Sequence, residues 1–170
     1  MLPEPGLSLL RLVRGEVDAA ASALQSALAE LGEDQLGRAR LLPARVEVAL
    51  AKGDVADAQA AVAELEETAE VYGTAALGAA AEHARGALEL ASGNTDEAAA
   101  RLASGQRLWL RVEAPYDAAR VGELLAEAYL HRGDHDAGLL ELRAAAAAFE
   151  RLGATLDAQR TSRRLAQLST

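Results

Sequence analysis

Four glycines recur at nearly equal intervals along this chain of 170 residues: Gly15, Gly53, Gly93 and Gly133. The last two intervals are equal, and the first is slightly shorter. Each glycine precedes an acidic or polar residue, and small and apolar residues recur at fixed offsets after it. A repeat of roughly 40 residues is the sequence signature of stacked helical hairpins. It therefore constrains the fold more strongly than any other feature of the chain.

The composition favours helices over sheet. Hydrophobic residues make up 51% of the chain but aromatic residues only 3%, and Ala accounts for about a quarter. Strands are usually rich in aromatic and β-branched residues, whereas Ala has the highest helix propensity and lets helices pack closely. We therefore predict an all-α protein with a sizeable core.

Each marker glycine lies between two helical patterns. Glycine can adopt the left-handed conformation that closes a helix, and the Asp, Glu or Asn after it suits the start of the next helix. A kink or break is expected at Pro43, which lies inside the predicted first helix of the second pair. The predicted first helices of the pairs cover 7–14, 35–52, 74–92 and 115–132, the second helices 16–31, 54–71, 94–111 and 134–151, and a last helix 155–168.

The repeat extends into a fifth unit. The segments WLRVEAPYDAAR and FERLGATLDAQR begin at Trp109 and Phe149, which are separated by the same interval as Gly93 and Gly133. Trp109 and Phe149 are expected to pack between adjacent hairpins. We predict a right-handed superhelical solenoid of four antiparallel helical hairpins plus a C-terminal capping helix. It forms a single domain, 1–170, with units of about 1–33, 34–73, 74–113 and 114–153 and a capping helix at 154–170.

The charge and the absence of cysteine argue against several function classes. The net charge is −9 and Lys52 is the sole lysine, so the basic patch that binds phosphates or an acidic membrane surface is missing. Without cysteine there is no disulfide, thiolate nucleophile or Cys-based zinc site. The chain has no apolar stretch of membrane-spanning length and no signal-peptide pattern in residues 1–16. We expect a cytoplasmic protein that binds neither nucleic acid nor membrane.

Two tempting motifs coincide with the fourth glycine turn. His131 and His135 have a spacing that binds metal when both lie on one helix face, but Gly133 separates them at a turn. The tripeptide Arg132-Gly133-Asp134 is interpreted as part of the same turn rather than as an adhesion motif. No nucleophile motif or Gly-rich phosphate loop is present. We therefore expect no enzyme activity, no cofactor and no metal.

The glycine, small and apolar spacing resembles the tetratricopeptide repeat. In the fourth unit the motif's seven signature positions are filled by Leu125, Ala126, Tyr129, Gly133, Gly138, Leu142 and Ala145. The period near 40 exceeds the usual length of about 34 residues, so longer helices are expected.

Residues 108–160 also resemble the carboxy-proximal repeat region of large LuxR-type transcription regulators, including the maltose-regulator-like ATPases. This resemblance implies a sensory or interaction region, which could be a fragment of a longer regulator. The family's phosphate loop and helix-turn-helix are not found in the sequence. The alternative is a free-standing scaffold with a constitutive protein partner, and a homodimer is left open.

The resemblance to tetratricopeptide arrays implies a concave groove lined by the first helices. Such a wall would hold a peptide, a partner helix or a small-molecule effector through arginines and carboxylates. In the other interpretation its arginines pair with nearby acids such as Glu123 and Glu127 and only keep the groove soluble. A row of leucines, among them Leu90 and Leu130, is assigned to the core, and Glu64, Glu66, Glu67 and Glu70 to a solvated helix face. The predicted groove residues are Arg40, Glu47, His83, Arg120, Glu123, Glu127, Arg160 and Arg163.

Overall fold

The computed structural model describes residues 5–168, and over that range it contains nine α-helices and no strand. The all-α prediction is confirmed, and the predicted helix limits agree with the observed ones to within about two residues, the error expected of such boundaries. The helices are α1 (Gly6–Val13), α2 (Val17–Leu31), α3 (Gln35–Lys52), α4 (Val55–Tyr72), α5 (Ala75–Ala91), α6 (Thr95–Arg111), α7 (Pro115–His131), α8 (His135–Arg151) and α9 (Thr155–Leu168).

The four marker glycines close α1, α3, α5 and α7 in the left-handed conformation. Their φ angles lie between 74° and 83°, a region that residues with a Cβ rarely occupy. The next helix then begins on a polar residue. The Asp54 and Asp134 carboxylates accept hydrogen bonds from the backbone N–H groups of Asp57 and Ala137, at 3.0 and 3.3 Å. The predicted helix, glycine turn, helix arrangement is therefore confirmed.

We expect Gly93→Val to lower the free energy of unfolding by about 1–2 kcal/mol, because a left-handed β-branched residue is strained. No atom beyond its chain neighbours lies within 4 Å of a Cβ added at Gly93, so the cost would come from the backbone alone. Chemical denaturation measures the loss. Gly93→Asn is the control, because Asn tolerates this conformation. Equal losses in the two variants would contradict the backbone explanation.

A second series of residues with positive φ angles follows the second helices. Gly32, Gly73 and Gly153 have positive φ angles after α2, α4 and α8, and Glu113 takes the same place after α6 with φ 57°. Glu113 lies midway between Gly73 and Gly153, one repeat interval from each. Local residue preference does not predict this turn conformation, because the residue there is not glycine.

Glu113→Gly should stabilise the protein by about 0.5 kcal/mol. Relief of the left-handed strain, about 1–2 kcal/mol, exceeds the entropy that glycine loses on folding, about 0.5–1 kcal/mol. Denaturant midpoints compared at equal m-value measure the change. Glu113→Ala serves as the control, because it removes the same carboxylate while keeping a Cβ. An equal gain in that variant would assign the effect to charge instead.

Proline at position 43 does not interrupt α3, so the expected break is wrong. Residues on both sides of it are buried, with Leu42 at 0%, Ala44 at 2% and Val46 at 1% exposure. Proline inside a helix costs about 3 kcal/mol. Burial of this apolar face against α2 and α4 offsets that cost, because fully burying each large aliphatic side chain contributes about 1.5–3 kcal/mol.

The described residues fall into two compact units, one up to Ala84 and one from Arg85. In the first unit, α2 packs on α1 and α3, α3 packs on α4, and α1 also touches α3. The largest fully buried side chains there include Leu24, Leu42, Leu65, Val46 and Val62. Helix α5 begins in the first unit and ends in the second.

In the second unit, α7 packs between α6 and α8, and α9 packs on α8. One core cluster contains Leu90, Leu102, Val121 and Leu125, with Trp109 packed against it. The assignment of the leucine row to the core is confirmed for Leu90, which is 8% exposed, whereas Leu130 is only half-buried.

A second cluster in this unit surrounds Phe149, which is fully buried. Phe149 packs with Ala119 of α7 and Ala158 of α9 and meets the Tyr116 ring edge to face at 5.6 Å. The predicted packing role of Phe149 is confirmed, because its neighbours belong to the helices of two successive predicted units.

Candidate functional site

Glu123 is the central polar residue between α7 and α9. Its carboxylate accepts a hydrogen bond from Thr161 Oγ1 at 2.6 Å and an ion-paired hydrogen bond from Arg160 Nη2 at 2.6 Å. The Glu123 side chain is 15% exposed and Thr161 is fully buried. A buried hydroxyl needs a hydrogen-bond partner, so Glu123 holds α9 on α7.

Two further contacts extend this connection along the same helices. Arg164 donates to Glu127 Oε2 from Nη2 at 3.4 Å, and the Tyr116 hydroxyl donates to Asp157 Oδ2 at 3.0 Å. Burial raises the pKa of Tyr116 above its usual range, and the hydrogen bond to Asp157 adds to that rise. The positive charges of Arg120 and Arg160 lower the same pKa, which places two predicted groove arginines near one ring.

Among the predicted groove residues of the second unit, Glu123 and Arg160 are mutual partners, whereas Glu127 has a partner outside the predicted set. Glu123 binds Arg160, and Glu127 binds Arg164. The repeat spacing predicted Arg163 as a groove residue, and its side chain is exposed on α9. The residue that contacts Glu127 is its neighbour Arg164. This pairing favours the interpretation in which the arginines satisfy nearby acids.

Glu123→Ala should destabilise the protein by about 1–2 kcal/mol, because Thr161 and Arg160 both lose a charged partner. Thr161 can instead turn its one hydroxyl proton to the Asp157 carbonyl oxygen, which lies 2.8 Å from Oγ1, and this limits the loss. Glu123→Gln keeps an acceptor for Thr161 while removing the ion pair, whose exposed arginine makes it worth less than about 1 kcal/mol. Thermal unfolding of both variants separates the two contributions, and equal effects would refute the hydroxyl's role.

The predicted groove residues of the first unit lie on α3 and α5. Arg40 is exposed and Glu47 is half-buried on α3, while His83 is half-buried on α5. The outward position of Arg40 leaves its guanidinium in water. None of these three residues lines the cleft that the first unit contains between α2 and α3.

That cleft lies between α2 and α3, and the start of α4 closes one end. Its volume is about 310 Å³, which falls at the lower limit of the range typical of small-molecule sites. The residues that line it are Ala21, Leu24, Gln25 and Leu28 of α2, Arg45, Val48, Ala49 and Lys52 of α3, and Asp54 and Asp57 beside and within the first turn of α4.

Ion pairs surround an apolar floor in this cleft. Arg45 binds the Asp57 carboxylate through Nε and Nη2. Lys52 Nζ lies 2.9 Å from Asp18 Oδ1, and this partner raises the pKa of Lys52. Leu24 and Val48 form part of the floor and are almost fully buried.

This cleft was not predicted from the sequence, although one signal for it is present there. Gly15 and Gly53 lie closer together than the later marker glycines do, and α2 has 15 residues where α3 has 18. A shorter helix covers less of its neighbour, because each residue adds only about 1.5 Å of length. The charged rim had no such signal, since it depends on residues from three helices.

Glu64 differs from its assignment to a solvated helix face. It is half-buried and forms an ion pair with Arg38, whose Nη1 also donates to the Leu28 carbonyl oxygen at 3.0 Å. Arg38 thereby links α2, α3 and α4. The solvated-face assignment is wrong for Glu64. Glu66 is also half-buried, while Glu67 and Glu70 are exposed as expected.

The two histidines of the fourth turn lie on different helices. His131 ends α7 and His135 begins α8, so they do not share the helix face that metal binding would need. Within residues 5–168 no group of three or more His, Asp or Glu residues is placed to hold a metal ion. None of the helices in that range combines the length and the apolar character that a lipid bilayer requires.

Comparison with protein-family models gives no match, and comparison with curated protein sequences gives none either.

Proposed function

We propose that the chain is a non-catalytic binding module whose first unit takes a small effector. The cleft between α2 and α3 carries this proposal, because its volume and its combination of apolar floor and charged rim are those of a ligand site. Glu123, Glu127 and Arg160 of the second unit already have charged partners, and so contribute less to effector binding.

The proposal includes a right-handed superhelical solenoid of tetratricopeptide type. Its support lies in contacts between helices one repeat apart in the second unit. Tyr116 and Glu123 of α7 bind residues of α9. Gln106 of α6 donates to Glu141 of α8 at 3.2 Å, past Gly122 of α7. In a solenoid, each repeat contacts its sequence neighbours in this way.

The likeness of residues 108–160 to LuxR-type regulators suggests the setting, a cytoplasmic transcription regulator in which this module senses an effector. An effector that binds one conformation more tightly shifts the population toward it, and the changed surface then biases distant modules. A ligand with equal affinity for both conformations would have no such effect. Tight binding alone is therefore not sufficient for the proposed sensing.

Thermal-shift screening against metabolites tests the effector proposal. We expect a ligand to raise the melting temperature, because a ligand that binds only the folded state stabilises it. Arg45→Ala and Lys52→Ala should abolish the shift, whereas Arg40→Ala, which alters an exposed arginine outside the cleft, should retain it. Loss of the shift in all three variants, or in none, would contradict the assigned site.

A constitutive protein partner is the second candidate. Leu140 and Leu156 are the residues to test for it, because they are 64% and 82% exposed in the second unit, and contact surfaces contain large exposed apolar side chains. The test is whether the chain captures one protein, and whether Leu140→Ser and Leu156→Ser abolish that capture. If they do, and no small molecule shifts the melting temperature, the scaffold replaces the effector proposal.

A further inference from the structure

We infer that the cleft binds a small organic carboxylate, with its acid group near Lys52 and Arg45 and its carbon skeleton over Leu24 and Val48. This inference rests on the proposed binding function and adds the chemical class of the ligand. It follows from which of the charged groups around the cleft are already engaged.

The two acids at the closed end of the cleft are committed to structural roles. Asp54 caps α4 by accepting the backbone N–H of Asp57 at 3.0 Å. The Asp57 carboxylate accepts hydrogen bonds from two of the guanidinium nitrogens of Arg45. A cationic ligand would have to share each carboxylate with the partner that it already has. The positive guanidinium of Arg45 also repels a cation that approaches Asp57, so these acids favour an amine less than free carboxylates would.

Lys52 carries the positive charge that can most easily exchange its present partner for a ligand. The structure gives its ammonium group one acceptor, Asp18, whose side chain is 93% exposed while that of Lys52 is 39% exposed. Ion pairs between exposed side chains contribute almost nothing to stability, because water solvates both partners. Exchanging Asp18 for a ligand carboxylate therefore costs little, and the ammonium group has three N–H donors for it.

Arg45 provides the second donor group. Its Nε and Nη2 bind Asp57, and among the residues that the structure describes Nη1 has no acceptor. Arg45 and Lys52 are seven positions apart on α3, so they share a helix face at a separation of about 10 Å along the axis. Both side chains are long enough to reach a carboxylate between them, above Val48 and Ala49.

The apolar floor selects a ligand with a hydrocarbon part. Leu24 and Leu28 of α2 face Val48 and Ala49 of α3 across the cleft. These four side chains are only 1–5% exposed, so little water is released from them, and a ligand's carbon chain gains mainly dispersion contacts with their surface. A volume of about 310 Å³ suits a short aliphatic acid rather than a peptide or a nucleotide.

Three probes of one length and different head groups test the inference: hexanoate, hexanol and hexylamine. Lys52 is the sole lysine of the chain, so its acylation by an amine-reactive reagent can be followed by peptide mass mapping, with the α-amino group as internal reference. We expect hexanoate to slow acylation of Lys52 at least fivefold, and hexanol and hexylamine to leave it unchanged. Equal protection by hexanol or hexylamine would overturn the inference.

Variants with direct binding measurements complete the test. By NMR titration, Lys52→Gln should weaken hexanoate binding about fivefold, as expected for loss of one partly exposed charge, while the matched variant Arg40→Gln keeps the parent affinity. Equal weakening in both variants would assign the effect to net charge and overturn the site. Lys52→Arg should restore most of the affinity, because it keeps the positive charge.

The outcomes also separate this inference from the proposed function. If hexanoate fails to bind while another compound from the thermal-shift screen binds the cleft, the carboxylate class is wrong and the effector-binding function stands. If no compound of any charge binds and only a protein is captured, both the inference and the effector proposal fail.

Discussion

Replacing Phe149 with Ala is expected to lower the free energy of unfolding by about 3–5 kcal/mol. Phe149 is the sole phenylalanine of the chain and is fully buried among residues of α7, α8 and α9. The side chains of its neighbours Ala119, Ala145 and Ala158 are single methyl groups, which cannot fill the space that the ring leaves. The cavity would therefore persist, and its cost adds to the lost transfer energy of the ring.

Denaturant unfolding followed through Trp109, the sole tryptophan, measures this loss within the second unit. Far-UV circular dichroism recorded in the same experiment reports the helices of the whole chain. Leu140→Ala is the matched control, because Leu140 lies on the same helix and is 64% exposed, and such surface changes usually stay within about 0.5 kcal/mol. A loss below about 1 kcal/mol for Phe149→Ala would show that the ring is not the centre of this core.

The helices were predictable because their ends depend on local chemistry. Gly53 and Gly133 close helices in a conformation that other residues rarely adopt, so the residue type determines the turn. Asp54 and Asp134 then cap the next helix. Neither step needs information from distant parts of the chain, which is why the sequence places these turns correctly.

Glu113 and Pro43 show where local rules fail. Glu113 adopts a left-handed conformation that its side chain disfavours, and only its position one repeat interval from both Gly73 and Gly153 pointed to it. Pro43 lies in an uninterrupted helix although its ring disfavours one. In both cases the packing of the flanking helices outweighs a preference of about 1–3 kcal/mol.

The candidate site was less predictable because it depends on side chains from several helices. A register placed Arg160 and Glu123 on one wall but could not show that they bind each other. It also chose Arg163, one residue away from the Arg164 that contacts Glu127. A shift of one residue turns a helix position by about 100°, so a small register error moves a side chain to another face.

Gly138→Val should lower the free energy of unfolding by about 2–3 kcal/mol, because it overfills a close helix contact. A Cβ at Gly138 would lie 2.7 Å from Leu130 Cγ and 3.1 Å from the Ala126 carbonyl oxygen. The leucine branch point and the backbone cannot both move aside without shifting α8 from α7. The gain in helix propensity over glycine, less than about 1 kcal/mol, is too small to compensate.

Gly122→Ala is the matched control for this change, since it also adds a Cβ to a buried glycine of the same unit. Its nearest neighbour is Gln106 Nε2 at 3.0 Å, the end of a flexible side chain that can move. We expect a change below about 1 kcal/mol there, with the helix-propensity gain offsetting the contact. Gly138→Ala should fall between the two, because it adds the clashing Cβ without the two methyl groups of valine. Denaturation curves give the free energy of unfolding of each variant, and equal values for all three would contradict this prediction. They would mean that α7 and α8 can separate at little cost, and that the small residue five positions after the marker glycine does not set the spacing of these helices.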